Sequence, residues 1–303
     1  MAYSAIPDIV GSGGTTIFLP QAMGMLCAAV AYAVLSGRAA VLKEPGKKAQ
    51  TKSYLWAQAT GSGPPIRLFG YARGRGAAHA ETLYAGIKRG AALMSDGYEV
   101  YAGIAEGNGL AHLACWAHCR RYFVEAEAVI PKTARSPEQP ATQFIAAIAE
   151  LYAVEARAGK LTPEQRHALR QEYSQPILVK IEAMLLKHLH AVVPGSLLGK
   201  ALHYLSAQWP KLIRYVENGA WPIDNNLCEN AIRPFVVGRR NWLFADTVAG
   251  AHASANLYSI IETCKANSID PYAYLVSLFR KLPTAQTVDD FERLLPWCLA
   301  NAD

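Results

Sequence analysis

The feature that most constrains the fold is the order in which two kinds of hydrophobic pattern follow one another along the chain. Short apolar runs separated by turn residues occupy the region up to Cys115, and patterns with helical spacing occupy most of the chain after it. We therefore predict a mixed α/β fold in which a few strands come first and a block of helices follows. A further helix, beginning near Asp224, is predicted after that block.

Two strands are predicted in the first part of this region. Ser53–Gln58 and Ile66–Tyr71 are rich in aromatic and aliphatic residues, and Gly61–Pro65 between them has the composition of a turn. Ala39–Lys43 is predicted to be the remains of a strand before them.

A buried strand is predicted at Ala91–Ser95, a short apolar run that ends at Asp96-Gly97. The carboxylate of Asp96 would lie at the C-terminal end of this strand, where open α/β sheets usually bind their ligands. The alternative is that Asp-Gly only forms a turn. Gly109–Cys115 is predicted to be a further strand, which leads into a helix over about 117–128.

The remainder of the chain is predicted to be mostly helical. Thr162–Gln165 has the residue types of a capping box with proline at the first helical position. Pro194-Gly195 predicts a break between two long helices, and Asp270 and Thr287 are predicted to start later ones. Apolar residues at helical spacing in the block are expected to be buried, among them Ile148, Leu151, Leu185 and Leu189.

Charge and cysteine usage bound the function only loosely. The net charge of +6 and the pI near 8.9 mildly favour an anionic partner. The six cysteines are unpaired by any spacing rule, and we expect reduced thiols in a cytoplasmic protein.

Ile9–Gly37 holds no charged side chain, so a membrane span is an alternative there. Its glycines, Pro20 and the lack of a basic segment before it argue against that alternative.

The segment Ile223–Pro234 combines an acidic residue with the start of a helix. Asp224, Asn225 or Asn226 would cap the helix, and Asp224 is better explained as a cap than as a ligand. Glu229 follows in the first turns. An acid that holds a cation, next to groups that hold phosphate, fits chemistry on a polynucleotide backbone. The alternative is a solvated helix face. The phosphate-holding groups that follow it are Arg233, Arg239, Arg240 and Asn241.

This segment resembles the sequence around the last catalytic acid of transposases of the insertion-sequence-66 family, which belong to the DDE class. The resemblance extends from about Val41 to Trp297. It implies a transposase that cleaves and joins DNA at the ends of an insertion sequence, as a homo-oligomer on DNA and without membrane association. The motifs that match in order are Val41–Gly46, Gln50–Trp56, Ser95–Tyr98, Cys115–Arg121, Tyr258–Thr263 and Asp270–Leu275.

The resemblance also implies an RNase H-like core with a large helical insertion and a helical C-terminal region. The first part of the core would cover residues 41–128, the insertion 129–222, and the catalytic-helix region that completes the core 223–250. Residues 1–40 would be an unmatched N-terminal segment, and residues 251–303 the helical C-terminal region.

The resemblance assigns Asp96 and Glu229 as catalytic residues and as ligands of Mg²⁺, or of Mn²⁺ in its place. A pair of such cations activates the attacking oxygen and stabilises the leaving oxygen at phosphorus, and carboxylate oxygens suit Mg²⁺. We therefore expect the two carboxylates to lie near one another in the fold. The residues expected to contact DNA are Arg120, Arg121, Arg233, Arg239, Arg240 and Asn241.

The chain departs from the family at the first catalytic aspartate. The family carries an Asp-Glu-Thr segment a few residues before the stretch that matches Val41–Gly46, and here that place reads Leu35–Ala40, without a carboxylate. Two functions stay open: an active transposase, and a catalytically inactive remnant that binds DNA or a partner transposase. We expect the chain with this sequence not to cleave DNA at a useful rate.

A zinc site is a further alternative at His112, Cys115, His118 and Cys119. All four lie within eight residues across a strand–helix junction. Structural zinc sites usually pair two short ligand spacings separated by a loop. His118 is better explained by a helix start near the DNA phosphates, or by a buried, hydrogen-bonded histidine.

Overall fold

The computed structural model describes residues 30–34, 54–61, 65–74, 76–84, 87, 89–98, 100–242 and 247–299. The fold is mixed α/β and mostly helical, as the sequence predicts. The chain forms two compact units, of which the first comprises Ala29–Leu35 and Lys88–Asn230 and the second the rest of the chain.

The described strands are β1 (Val30–Val34), β2 (Tyr54–Thr60), β3 (Arg67–Ala72), β4 (Ala92–Ser95) and β5 (Ala111–Ala114). The described helices are α1 (Ala77–Leu83), α2 (Val100–Gly107), α3 (Trp116–Ala128), α4 (Pro140–Ala158), α5 (Pro163–Leu169), α6 (Gln175–Leu189), α7 (Leu197–Leu212), α8 (Asn226–Trp242), α9 (Val248–Ala266), α10 (Pro271–Lys281), α11 (Val288–Arg293) and α12 (Pro296–Leu299).

The first unit contains the three parallel strands β1, β4 and β5, the helices α2 to α7 and the start of α8. β4 lies between β1 and β5 and pairs in parallel with both. β4 and β5 confirm two predicted strands, and all their residues are buried, as expected of strands covered on both faces. The sequence did not predict a strand at Val30–Val34. This segment lies within a long uncharged stretch, where polar and apolar residues do not alternate in a way that marks a strand. The strand predicted at Ala39–Lys43 lies outside the described residues.

The block between 129 and 221 is described throughout, and it holds helices and turns without a strand. The predicted capping box is present: the Thr162 hydroxyl accepts from the Gln165 N–H, and the Gln165 side chain accepts from the Thr162 N–H. The predicted break at Pro194-Gly195 falls between α6 and α7.

The core of the first unit joins the helical block to α3. Ile148, Leu151 and Leu185 are buried as predicted, and Leu189 is partly buried against the same cluster. Phe123 of α3 is fully buried and stacks on Phe144 of α4, with ring centroids 4.5 Å apart. Each such buried side chain contributes about 1.5–3 kcal/mol. The helical block therefore fixes α3, which carries several candidate functional residues.

A buried arginine stabilises the chain between the helical block and α8. The Arg170 guanidinium is fully buried and donates to both carboxylate oxygens of Glu155, at 2.8 and 2.7 Å. It also donates to the carbonyls of Tyr215 and Asn218, at 2.8 and 2.9 Å. Four hydrogen bonds satisfy the planar charge, which is what a buried cation requires.

The second unit contains β2, β3 and α9. β2 and β3 form the predicted antiparallel pair, with Tyr54 opposite Ala72 and Ala59 opposite Arg67. α9 lies against β3, and two of its hydroxyl groups bond to the strand backbone. Ser259 accepts from the Phe69 N–H at 2.8 Å. The Thr263 hydroxyl accepts from the Arg67 N–H and donates to the Arg67 carbonyl, both at 3.0 Å.

The C-terminal helices confirm two predicted helix starts. The Asp270 carboxylate accepts from the Ala273 N–H at 2.7 Å, and Thr287 forms a capping box with Asp290. In the part of the chain that the structure describes, no helix is long and apolar enough to cross a membrane. Apart from β1, the uncharged stretch Ile9–Gly37 lies outside the described residues.

Candidate active site

Asp96 directly follows β4, the strand between β1 and β5. Its Oδ1 accepts a hydrogen bond from the Tyr98 N–H at 3.1 Å, which closes a tight turn. Gly97 within that turn has a φ of +87°, a conformation that residues with a side chain rarely adopt. The turn therefore holds the Asp96 carboxylate at the C-terminal edge of the parallel strands.

Tyr204 of α7 connects this turn to α3. Its hydroxyl donates to the Asp96 carbonyl at 3.2 Å, and burial raises the pKa of Tyr204, so the group keeps its proton. A Cβ at Gly97 would lie 3.3 Å from the same hydroxyl oxygen, so a side chain there would crowd Tyr204. The Tyr204 ring stacks on Tyr122 of α3, with ring centroids 4.6 Å apart and planes 29° apart.

Glu229 lies in the first turn of α8, where the sequence predicts it. Its Oε1 is 3.1 Å from Nε2 of His118, and its Oε2 is 3.6 Å from a guanidinium nitrogen of Arg121. Both partners belong to α3. The Glu229 side chain is 28% exposed, so solvent reaches it.

One face of α3 carries the partners of Glu229 and the tyrosine that stacks on Tyr204. His118, Arg121 and Tyr122 stand at helix positions i, i+3 and i+4, which neighbour one another on the helix surface. The first two contact Glu229, and Tyr122 reaches the Asp96 turn through the stacked ring of Tyr204. α3 thus contacts Glu229 directly and is connected to the backbone of Asp96 only through Tyr204 of α7.

The starts of α3 and α8 are tied together by buried hydrogen bonds. The Cys115 thiol donates to Oδ1 of Asn225 at 2.9 Å, and both side chains are fully buried. Burial raises the pKa of Cys115 to about 12, which keeps the thiol protonated as a donor. The Trp116 N–H donates to the Ile223 carbonyl at 3.2 Å. These bonds hold the helix that carries Glu229 against the helix that carries its partners.

Asp224 lies two residues before the first residue of α8, and its carboxylate accepts hydrogen bonds at the start of that helix. Its Oδ1 accepts from the Asn226 N–H at 3.1 Å. Its Oδ2 accepts from the Asn226 amide and from the Tyr152 hydroxyl, both at 2.7 Å. Burial, together with the Asp224 charge, raises the pKa of Tyr152, so its hydroxyl stays a donor. Asn225 was a third cap candidate, but its side chain bonds to Cys115 instead.

The predicted DNA-contacting residues fall into two groups. Arg120 and Arg121 are exposed on α3, and Arg233 is exposed on α8 one turn after Glu229. Because Arg121 lies beside Glu229, part of its charge is already balanced. The side chains of the other three, on the last turns of α8, lie outside the described residues: Arg239, Arg240 and Asn241.

Three of the four residues of the zinc alternative have other partners. His112 forms a 2.8 Å hydrogen bond with the Ser95 hydroxyl, whereas Cys115 and His118 contact Asn225 and Glu229. Among the residues that the structure describes, no three His, Cys, Asp or Glu side chains are arranged to hold a metal ion.

The described residues also do not complete a site for a Mg²⁺ pair. Asp96 and Glu229 supply two carboxylates, but both Glu229 oxygens already face a histidine or an arginine. A cation pair in such sites is normally bridged by further carboxylate oxygen. Leu35–Ala40, where the family carries its first aspartate, lies outside the described residues.

Comparisons with known proteins agree with the motifs. A family model described as Transposase IS66 family matches residues 37–253, and one described as IS66 C-terminal element matches residues 259–297. The chain is 30% identical over 267 residues to the uncharacterized protein y4jD of Sinorhizobium fredii, and 31% identical over 266 residues to the uncharacterized protein y4qI of the same organism. Each alignment covers 84% of this chain, but 51% and 48% of the two relatives. The chain therefore spans about half the length of the curated relatives it matches.

Proposed function

Because the chain belongs to the IS66 family of transposases, we propose that it acts on DNA during the transposition of an insertion sequence. In this proposal Asp96 and Glu229 are the acidic residues of a strand-cleavage and strand-transfer site. The observation that supports it is that α3 contacts Glu229 directly and is linked to the Asp96 carbonyl through Tyr204. The exposed Arg120 on the same helix and the net charge of +6 support an anionic substrate.

An RNase H-like core is part of this proposal. In its support, β4 carries an acid at its C-terminal end and lies between two parallel strands. A second acid, Glu229, stands on a helix that the chain reaches only after a long helical block. Both features match the core that the family resemblance implies.

The chain's own residues would orient the acids and the DNA. His118 and Arg121 hold the Glu229 carboxylate, the turn at Asp96 fixes the other acid, and exposed arginines attract phosphates. Mg²⁺ or Mn²⁺ held by these carboxylates would supply the positive charge that activates an oxygen for attack at phosphorus.

A second candidate function is a catalytically inactive transposase that binds DNA or a partner transposase. Two observations favour it for this chain. Leu35–Ala40 offers no carboxylate, and the Glu229 oxygens are occupied by His118 and Arg121. A site that lacks one acid keeps the positive surface for DNA but loses a ligand for the cations.

The two candidates are separated by measuring binding and cleavage of the same DNA substrate. The substrate is labelled duplex DNA from either side of the coding sequence, with Mg²⁺ or Mn²⁺, and the control is Asp96→Ala. We expect binding without cleavage above the control. Robust cleavage that Asp96→Ala abolishes would establish the active enzyme. The absence of any DNA binding would contradict the first candidate and leave only the binding of a partner transposase for the second.

We further propose that the protein binds DNA in the cytoplasm as a homo-oligomer, because transposition brings two ends of one element together. Light scattering with and without DNA checks the oligomer. A monomer on every DNA tested would contradict it.

A further inference from the structure

The ring of Tyr122 lies on the α3 face that contacts Glu229, and it stacks on Tyr204, which is bonded to the Asp96 carbonyl. We propose that Tyr122 is a stacking platform for an unpaired nucleobase of the DNA that reaches this site. This inference rests on the proposed function. It specifies which part of the DNA binds to this face of α3, namely a base whose ring is not covered by neighbouring bases.

The ring is held in one orientation. One face of Tyr122 is stacked on Tyr204, whose hydroxyl is bonded to the Asp96 carbonyl and whose ring edge lies against Gly97. Two stacked rings anchored to a tight turn have little rotational freedom left to lose when a ligand binds. The platform is therefore preorganised beside Asp96.

Tyr122 is exposed, whereas the next residue in the chain is buried. Phe123, the next residue, is fully buried and stacks on Phe144 in the core. Tyr122 points out of the same helix and keeps 38% of its surface exposed, although one ring face is already covered. Part of Tyr122 is therefore accessible to a ligand, and the proposal assigns this surface to a second flat ring.

The charges around Tyr122 suit a nucleotide. Arg121 precedes it in the chain, with 56% of its side chain exposed, and Arg120 is exposed as well. A cationic surface that follows phosphates, combined with an aromatic ring that takes a base, is how proteins bind single-stranded nucleic acid. Base pairs within a duplex hide their ring faces in the stack, so this surface takes only a base that has left it.

The test uses the full chain and two DNA probes. One is a blunt duplex, and the other is the same duplex with a short single-stranded overhang that carries 2-aminopurine as its first unpaired base. Fluorescence of 2-aminopurine reports stacking, and anisotropy reports binding. The variants are Tyr122→Leu, which removes the ring, and Tyr122→Phe, which keeps it. Tyr173→Leu is the matched control, because Tyr173 is also 38% exposed.

We expect wild type, Tyr122→Phe and Tyr173→Leu to quench the fluorophore. We expect Tyr122→Leu to lose the quenching and to bind the overhang DNA about 5- to 100-fold more weakly, with blunt-duplex binding unchanged. Unaltered quenching in a folded Tyr122→Leu protein overturns the platform and leaves the proposed function standing. If wild type binds neither DNA, the proposed function fails and the platform fails with it.

Discussion

His112 and Ser95 form a buried hydrogen bond next to the Asp96 turn, because Ser95 is the last residue of β4 and His112 lies on β5. Burial lowers the pKa of His112 to about 4, with smaller contributions from Lys211 and Arg214. The histidine is therefore neutral in the folded protein at ordinary pH. A charge at this place would lie in the interior, between strands that support one of the predicted acids.

Acid should destabilise the first unit through His112. In the unfolded chain this group binds its proton near pH 6.5, and in the folded chain only near pH 4. The unfolded state thus binds more protons between these values, and stability is lost as the pH falls from 6.5 towards 4, by roughly 3 kcal/mol.

Urea unfolding across this pH range checks the prediction, with His112→Asn as the variant. In the His112→Asn variant, the free energy of unfolding should depend much less on pH between 4 and 6.5. The control His203→Asn changes an exposed histidine and should keep the pH dependence of the wild type. If the pH dependence of the free energy of unfolding is the same in His112→Asn as in the wild type, other groups cause the acid sensitivity.

At the scale of elements, helix α9 packs against strand β3 and supplies hydrogen-bond partners for its backbone. Ser259 and Thr263 stand one turn apart on α9, and their hydroxyls bond to the backbone of Phe69 and Arg67. Both hydroxyl residues are fully buried, so no water replaces these bonds. The helix thereby covers β3 in place of a further strand.

Thr263→Val should destabilise the protein although it keeps the shape of the side chain. The N–H and the carbonyl of Arg67 would both lose the partner that Thr263 provides, at a cost of about 1–3 kcal/mol. Thr263→Ser retains the hydroxyl and should lose less. Chemical unfolding followed by far-ultraviolet circular dichroism measures both, and equal stability of wild type and Thr263→Val would show that these bonds contribute little.

At the scale of the whole molecule, the excess of basic residues should make DNA binding depend on salt. Arg239 and Arg240 follow Glu229 on α8. Replacing both by alanine should weaken binding to all DNA sequences alike and reduce the slope of log affinity against log salt by up to about two. Anisotropy titrations over a range of salt concentrations test this. Unaltered affinity would mean that these arginines form only a solvated face.

The sequence by itself determined the family, the strands at β2 to β5 and the helix starts at Thr162, Asp270 and Thr287. The family follows from motifs spread along the chain. Each strand and each helix start, in contrast, depends on residues within a few positions of one another, through hydrophobic period, turn composition or a capping side chain. It also placed Asp96 after a strand and Glu229 in the first turn of a helix. Local patterns carry this information because the backbone responds first to its nearest neighbours.

The tertiary structure alone decided what surrounds those acids. No local pattern pairs Cys115 with Asn225, His118 with Glu229, or Tyr204 with the Asp96 turn, since each contact joins segments separated by a long stretch of chain. The same holds for Tyr122, whose ring is indistinguishable from that of a core residue until the packing of α3 turns Phe123 inward and leaves Tyr122 outside. Helix periodicity says which residues share a face, but only the packing of distant helices decides which face is buried and which one meets a ligand.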